Sequence, residues 1–401
     1  MRAVNRRTSP LILAGIVLMA LNLRAAAASV GPMLPEIGRG LHLSHPQLAL
    51  LTALPALAFA CFSAIGPAMA RTFGLHRAAL LSLFAISIGL FARSLADEQW
   101  IFLALSTLAL AGMAAAGVLL PSLVLLHFPD RLATLAAPYS RMLAIGFALA
   151  AVFTAPISHA DGGWRSGLAF WGALALVAAI PWLRLIRHDL HLRPEPRSIT
   201  LVEMIRTRTC QAMALLFGLQ FLQMYVAMGW FPTLWRQHGF HATSAGVLLA
   251  VVALASLPFT LWLPSAITLR MRSGPLMAWV ALSYPVADLL LLVAPRTLAI
   301  PAAVLLGIGT VLFPMSLALV GRHARTRDAA LSLAGVAQAV GYLLAAAGTF
   351  CFGMLHLHGG SWGWPLAALL VTALPLPLLA SCLTKKAYVD DQLRDRVAVG
   401  S

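Results

Sequence analysis

Long apolar runs fill most of this sequence, and they restrict its possible folds more than any other feature. About twelve runs of roughly 18–25 residues carry almost no charge, and each is long enough to cross a bilayer as a helix. Of the 401 residues, 60% are hydrophobic and 10% are charged, against about 25% charged in an ordinary soluble domain. No soluble core could bury this much apolar surface. We therefore expect an all-α membrane protein.

The apolar runs predict twelve transmembrane helices, separated by short connections that hold most of the charged residues. The predicted spans lie near residues 11–33, 46–69, 78–95, 99–126, 133–157, 166–186, 210–232, 244–264, 275–294, 298–320, 330–353 and 364–383. We number them 1 to 12 in chain order.

The net charge of +15 reflects membrane topology and gives no support for nucleic-acid binding. If the N-terminus is cytoplasmic, 21 of the 28 Lys and Arg residues fall in cytoplasmic segments. Five fall in connections on the opposite side: Arg39, Arg93, Arg165, Arg236 and Arg296. Such an excess of basic residues on one side predicts that both termini lie in the cytoplasm.

The chain divides into two related halves at its longest polar stretch, residues 184–209. The segment "GVLLPSLVLLHFPDR" (117–131) has a counterpart in "GTVLFPMSLALVGRHAR" (309–325), with Pro121 matching Pro314. Repeated six-helix halves are how major-facilitator carriers are built, with substrate bound between the halves. The predicted organisation is an N-terminal six-helix bundle (1–186), a cytoplasmic linker (187–209), a C-terminal six-helix bundle (210–383) and a cytoplasmic tail (384–401).

Four segments carry a resemblance to a known family: "NLRAAAASVGPMLPEI" (22–37), "GWR" (163–165), "FGLQFLQMYVAMGWFPTLW" (217–235) and "LSLAGVAQAVGYLLAAAGTFCFG" (331–353). They resemble the cyanate/2-nitroimidazole transporter branch of the major facilitator superfamily, and the likeness runs through almost all of the chain. It implies a carrier in the bacterial cytoplasmic (inner) membrane for small, often anionic or nitrogen-rich solutes. One departure is Ala70, where the superfamily's loop between spans 2 and 3 usually carries an Asp, so a gate salt bridge built on that acid is in doubt.

Arg24 is the leading candidate for a substrate ligand. It lies deep inside the apolar run of span 1, where an arginine costs about 2.5–3.5 kcal/mol on insertion scales. In a continuous helix its face would carry Ala20, Ala28 and Gly31, small residues that leave room for a ligand. A guanidinium offers several directed donors and keeps its charge, which suits an anion. The alternative is that Arg24 bonds helix carbonyls or a neighbouring span.

Amide side chains in spans 7 and 11 are further candidates for substrate binding. Gln220 and Gln223 lie one turn apart in span 7, which is the repeat partner of span 1, so we expect both spans to line one cavity near the membrane midplane. Gln338 and Tyr342 belong to a stripe of polar and small residues in span 11. For each amide, helix packing is an equal alternative.

Three other polar residues within the spans have open or structural interpretations. Arg141 in span 5 is either a second anion ligand or a side chain that extends to the membrane surface. Asn22 points away from Arg24, and we expect it to form an interhelical hydrogen bond. Asp288 in span 9 is expected to form an ion pair or to lie at the lipid edge, which leaves proton coupling undecided.

These features favour a secondary transporter that moves a small polar solute, preferably a cyanate-like anion, by alternating access. The alternative is an exporter of drugs or nitroheterocycles in which Arg24 is structural or gates the pathway. An enzyme is disfavoured because the sequence has no HExxH, P-loop, GxSxG or paired intramembrane carboxylates. No cofactor or metal is expected, and we expect a monomer whose partners are the substrate and the lipid bilayer. Substrate identity and direction of transport stay open.

Overall fold

A computed structural model describes residues 9–128, 132–160, 163–186, 189, 199–260, 273–385 and 387–400. The described residues are mostly helical and include no β-strand. Twelve of the helical segments are long and apolar enough to cross a membrane, which confirms the predicted fold class.

The first six spans are built from the helices Ser9–Asn22, Ala25–Ala28 and Leu34–Gly40 (span 1), His45–Phe62 (span 2), Leu75–Leu95 (span 3), Gln99–His127 (span 4), Leu132–Ala160 (span 5) and Trp164–Leu185 (span 6). A 3₁₀ turn at Gly31–Met33 joins two parts of span 1. The apolar run predicts that span 2 continues to residue 69, but its helix ends at Phe62 and a separate helix, Ile65–Thr72, follows.

The last six spans are built from the helices Arg208–Gln237 (span 7), Ala242–Ala255 and Leu257–Thr260 (span 8), Ser273–Val293 (span 9), Ala299–Thr310 and Leu312–His323 (span 10), Arg327–Gly359 (span 11), and Gly363–Ala373 and Leu376–Cys382 (span 12). The helix Leu201–Ile205 precedes span 7, and the helix Val389–Gly400 follows span 12.

Side-chain caps fix where several helices begin. Ser44 caps span 2, and the side chain of Gln47 accepts from the Ser44 amide at 2.9 Å. Thr200 and Glu203 form the same reciprocal arrangement at the helix Leu201–Ile205. Hydrogen bonds from the backbone and side chain of Thr200 lower the pKa of the Glu203 carboxyl. Such caps satisfy amides that the first helical turn leaves without partners.

The chain forms two compact units. The first contains Met1–Pro194 together with Met228–Leu254, and the second contains Glu195–Ala227 together with Ala255–Ser401. In the first unit, span 3 packs against spans 4 and 6, and span 1 packs against spans 5 and 6. In the second, span 9 packs against spans 10 and 12. The units group residues by proximity, so the repeat boundaries at 186, 210 and 383 stay a prediction.

Large apolar side chains lie exposed along the spans. Ile88, Ile180, Trp279 and Leu378 are each more than half exposed, at 56%, 56%, 55% and 69%. A soluble monomer rarely shows exposed apolar side chains on so many of its helices. A lipid environment removes the cost of that exposure, and these side chains therefore mark surfaces in contact with the bilayer.

Candidate functional site

Span 1 is interrupted at the arginine that the sequence singles out. Its first helix ends at Asn22 and the next begins at Ala25, so Leu23 and Arg24 form a turn. The amide of Leu23 donates to the carbonyl of Ala20 at 3.3 Å, three residues back instead of four. The side chain of Arg24 is half-buried. The sequence analysis treats this region as one helix, whereas the structure divides it within a span that runs from Leu11 to Gly40.

Two glycine contacts hold span 1 on either side of the interruption. A Cβ on Gly146 of span 5 would lie 2.0 Å from the carbonyl oxygen of Leu21. A Cβ on Gly31 would lie 2.1 Å from the carbonyl oxygen of Met228. Gly31, which the sequence places among the small residues beside Arg24, therefore allows a close approach of backbone to backbone. Both contacts lie within the first unit and leave span 1 little freedom to shift.

Arg93 is a candidate site residue that sequence reasoning missed. The charge count places it in an external connection, but it lies inside the helix Leu75–Leu95 and is fully buried. Its Nη2 donates to the carbonyl of Ala26 and to the hydroxyl of Ser29, both at 3.3 Å, and its Nη1 donates to the hydroxyl of Ser106 at 3.5 Å. Ala26 and Ser29 follow directly after the interruption at Arg24, so this buried cation adjoins the candidate site.

An ion pair joins span 1 to span 7 at the end of span 1 that contains Gly40. Arg236 forms a two-point contact with the carboxylate of Glu36, one arm of which measures 2.7 Å, and its Nη1 also donates to the carbonyl of Pro32 at 2.9 Å. The two side chains are only 20% and 23% exposed. A cavity of about 610 Å³, lined in part by Arg236, lies beside the pair. We call this contact the Glu36–Arg236 latch.

The latch is expected to couple the two helices energetically. Glu36→Gln and Arg236→Gln should each lower the melting temperature, because each leaves a partly buried charge without its partner. The double variant should lose much less melting temperature than the two single losses added together, since the interaction can be lost only once. Thermal unfolding of the four proteins in detergent measures this non-additivity.

Arg39 provides the matched control for the latch. It lies 3.8 Å from the same carboxylate, but its side chain is 77% exposed. Exposed ion pairs contribute little, so Arg39→Gln should change the melting temperature slightly and combine additively with Arg236→Gln. Additive losses for Glu36→Gln and Arg236→Gln would contradict the latch.

A carboxylate from outside the loop between spans 2 and 3 contacts the start of span 3. Asp189, which follows span 6, accepts from the amides of His76 and Arg77 at 2.9 and 3.0 Å at the start of span 3. It also lies 3.3 Å from the ring of His76 and 3.9 Å from the guanidinium of Arg77. The expected loop acid is absent, and Asp189 instead joins the ends of spans 3 and 6.

Gln220 and Gln223 are both buried in the second unit. Neither polar atom of the Gln220 amide has a hydrogen-bond partner among the described residues. Gln223 donates to the carbonyl of Leu369 in span 12 at 3.2 Å, and its amide lies close to the carboxyl of Asp288. The two amides thus differ: Gln223 joins helices, and Gln220 is left with unsatisfied donors and an unsatisfied acceptor.

Asp288 is fully buried next to Tyr284 and Gln223. In the part of the chain that the structure describes, no Lys or Arg forms an ion pair with it, and neither of its oxygens has a hydrogen bond of ordinary geometry. Both expectations for this residue, an ion pair and a position at the lipid edge, are therefore wrong. An acid enclosed within a span is a candidate functional group.

Gln338 and Tyr342 are half-buried in span 11. The ring of Tyr342 stacks on Phe221 of span 7 with centroids 4.2 Å apart and planes 4° apart. Gly341, between them, lies against span 7: a Cβ there would be 2.7 Å from the Cβ of Phe217. Span 11 thus presents an aromatic face beside a tight helix contact, both within the second unit.

The remaining two polar residues of the sequence analysis lie in the first unit. Arg141 is exposed. Asn22 is buried and donates to the carbonyl of Leu18, four residues back in its own helix, at 2.9 Å. The expectation of an interhelical hydrogen bond for Asn22 is therefore wrong. Its side-chain amide instead bonds within the last turn before the interruption.

Comparison with known proteins decides the family. Residues 12–346 match the model of the Major Facilitator Superfamily. The chain belongs to this superfamily. It is a multi-pass membrane transporter of small solutes and not an enzyme.

Three curated bacterial relatives align along most of their length. The chain is 31% identical over 388 residues to the uncharacterized transporter YycB of Bacillus subtilis, covering 96% of each protein. It is 30% identical to the 2-nitroimidazole transporter of Escherichia coli, covering 92% of this chain and 94% of that protein. It is 26% identical to the cyanate transport protein CynX of Escherichia coli, covering 90% and 94%.

Solved structures agree on the fold. A mutant of the nucleoside transporter NupG superposes with a TM-score of 0.77 at 11% identity, covering 94% of this chain and 100% of that chain. A bacterial homologue of the lysosomal transporter Spinster gives a TM-score of 0.74 at 16% identity, covering 95% and 97%. At these identities the likeness shows the twelve-helix architecture alone.

Proposed function

We propose that this transporter carries a small anion of the cyanate type across the bacterial cytoplasmic membrane by alternating access, with a substrate site around Arg24. The observation that carries the proposal is the interruption of span 1 at Arg24. Discontinuous helices near the membrane midplane are a recurrent way of building substrate sites in secondary transporters. Here the interruption and a cationic side chain coincide.

The depth of Arg24 supports a role in binding. Within the span Leu11–Gly40 it lies thirteen residues from one end and sixteen from the other. At 1.5 Å per residue these separations are about 20 and 24 Å, so the backbone of Arg24 is close to the middle of the span. Arg24 as a whole is half-buried. A fixed positive charge at this depth attracts an anion and offers it directed donors.

The second candidate function is transport of a planar nitroheterocycle. The parallel stack of Tyr342 on Phe221 favours it, because an aromatic face of this kind can bind a flat ring by offset stacking. The relative named as a 2-nitroimidazole transporter supports the same chemistry. In this alternative the neutral amides Gln220 and Gln338 orient the ring, and Arg24 is structural or gates the pathway.

The orientation that we propose places both termini in the cytoplasm, with the Glu36–Arg236 latch at the external end of span 1. The excess of Lys and Arg in the segments that then become cytoplasmic supports it. A latch at the external end would close that side of the pathway. We further propose that the protein functions as a monomer, and we assign no coupling ion.

A thermal-shift titration of the purified protein tests the substrate class. A ligand that binds the folded state stabilises it by RT ln(1 + [L]/Kd), so millimolar concentrations suffice to detect weak binding. We expect sodium cyanate to raise the melting temperature, with sodium gluconate at equal ionic strength as the control. A shift with 2-nitroimidazole alone would favour the second candidate. If cyanate leaves the melting temperature unchanged while 2-nitroimidazole raises it, the anion proposal is contradicted.

A further inference from the structure

Arg93 is a fully buried cation that does not use all of its hydrogen-bond donors. In the described part of the chain no carboxylate lies within ion-pair distance of it. Its Nε–H has no hydrogen-bond partner there. Its three hydrogen bonds measure 3.3, 3.3 and 3.5 Å, longer than the roughly 2.7–2.9 Å that is usual for a charged donor with a carboxylate.

A guanidinium in this environment requires compensation. Removing such an ion from water costs several kcal/mol even after the protein relaxes, and neutral partners at long distances return only part of that cost. An unpaired charge in a transmembrane helix therefore marks a functional site more often than a packing element. A partner that would neutralise Arg93 must carry a negative charge and must lie beside the unused Nε–H.

A small cavity lies at this point. Arg93 lines it together with Ala26, Gly31, Thr52 and Gly229, and apolar side chains form the rest of the wall. Its free volume is about 10 Å³, which leaves room for a single compact particle. The cavity is thus lined by a buried guanidinium with one unused donor.

We propose that Arg93 is a ligand of a small monovalent anion held in this cavity, a site separate from the one around Arg24. The anion neutralises the guanidinium, accepts from the unused Nε–H and is of halide size. The site does not depend on the proposed substrate. Its occupant is either a resident halide or a transported anion that stops there, and both share the chemistry of a compact, singly charged acceptor.

The position of the site links it to span 1. Arg93 contacts Ala26 and Ser29, which follow the interruption at Arg24, and Gly31, another wall residue, packs against the carbonyl of Met228. An anion here would fix the segment between the interruption and the Glu36–Arg236 latch. Its release would loosen the segment that carries Arg24.

Anion exchange at constant ionic strength tests the site. Purified protein is unfolded thermally in sodium gluconate and then in sodium chloride, bromide or cyanate. We expect the compact anions to raise the melting temperature of the wild type. Arg93→Gln should weaken the apparent affinity by about tenfold or more. Arg24→Gln should keep the chloride and bromide shifts, so failure of the Arg24 proposal and failure of this one are distinguishable.

The matched control is Arg165→Gln, because Arg165 is a half-buried arginine that is already paired with Asp97 at 2.8 Å. It should keep the anion shifts of the wild type. Equal shifts in Arg93→Gln and the wild type, or no shift in the wild type, would overturn the proposal.

A second measurement avoids variants that fail to fold. Crystals of the wild type grown in bromide should show an anomalous peak within hydrogen-bonding distance of the Arg93 guanidinium. If added cyanate displaces the peak, a transported anion shares the site, whereas a peak that persists identifies a resident halide. Both results support the site. An ordered water or empty density at Arg93 in the bromide crystals would contradict it.

Discussion

Replacement of Arg24 by lysine is expected to reduce anion transport by about tenfold or more while the protein stays folded in the membrane. Lysine keeps the positive charge but removes the planar set of donors, so a site that needs directed hydrogen bonds suffers most. The loss of one charge-assisted hydrogen bond costs on the order of 1.5–3 kcal/mol, which corresponds to roughly tenfold or more in affinity. Arg24→Met should reduce transport further because it removes the charge as well.

Uptake of labelled cyanate into proteoliposomes, with the melting temperature of the same preparations, measures this prediction. Arg296→Lys is the control, since Arg296 is exposed in the connection between spans 9 and 10. A purely structural Arg24 would give a different pattern, with Lys, Gln and Met variants losing stability in step with activity. Normal uptake by a well-expressed Arg24→Met protein would exclude the anion site. Loss of anion uptake with retained nitroheterocycle transport would favour the second candidate.

The twelve spans could be predicted because the length and polarity of an apolar run are local properties of the sequence. A segment that must satisfy its backbone inside lipid has few alternatives to a helix. The ends of the spans were less predictable. The helix of span 2 stops at Phe62 and another begins at Ile65, inside what the sequence predicts as one span over 46–69.

The interior of the candidate site could be predicted only in part, because it depends on contacts between residues distant in sequence. Arg24 stands out as a charge in an apolar run. Arg93 does not: it lies two residues before the end of its helix and shortly before Asp97 and Glu98, so the sequence there indicates a connection. Its burial follows from the packing of spans 1, 3 and 4, through Ser29 and Ser106.

Asp189 and Asp288 illustrate the same limit. Asp189 is 113 residues away from His76, whose amide it accepts from, so no local motif indicates the pairing. The general arrangement of the fold predicts a peripheral position for Asp288, whereas its neighbours Tyr284 and Gln223 enclose it. Periodicity indicates which side of a helix a residue occupies and does not identify the helix that covers it.

Gly146→Ala is expected to produce the second large effect, a lower melting temperature together with a loss of transport. The added methyl group would lie 2.0 Å from the carbonyl oxygen of Leu21 and 2.7 Å from its carbonyl carbon. These are backbone atoms, so no side-chain rotation relieves the contact, and span 1 or span 5 must move. Overpacking of a well-packed interior typically costs about 1–3 kcal/mol. Leu21 lies three residues before Arg24, so the displacement also moves the interruption.

Gly335→Ala separates this contact from the intrinsic effect of the substitution. Gly335 lies in the helix of span 11, and a Cβ there would meet no atom within 4 Å. Alanine favours a helix over glycine by about 0.5–1 kcal/mol, so the control should be neutral or slightly stabilised. The same gain acts at Gly146, which means that any loss there comes from the contact with span 1. Melting curves and proteoliposome uptake of both variants decide the matter: a Gly146→Ala protein with wild-type stability and transport would mean that span 1 can shift without consequence.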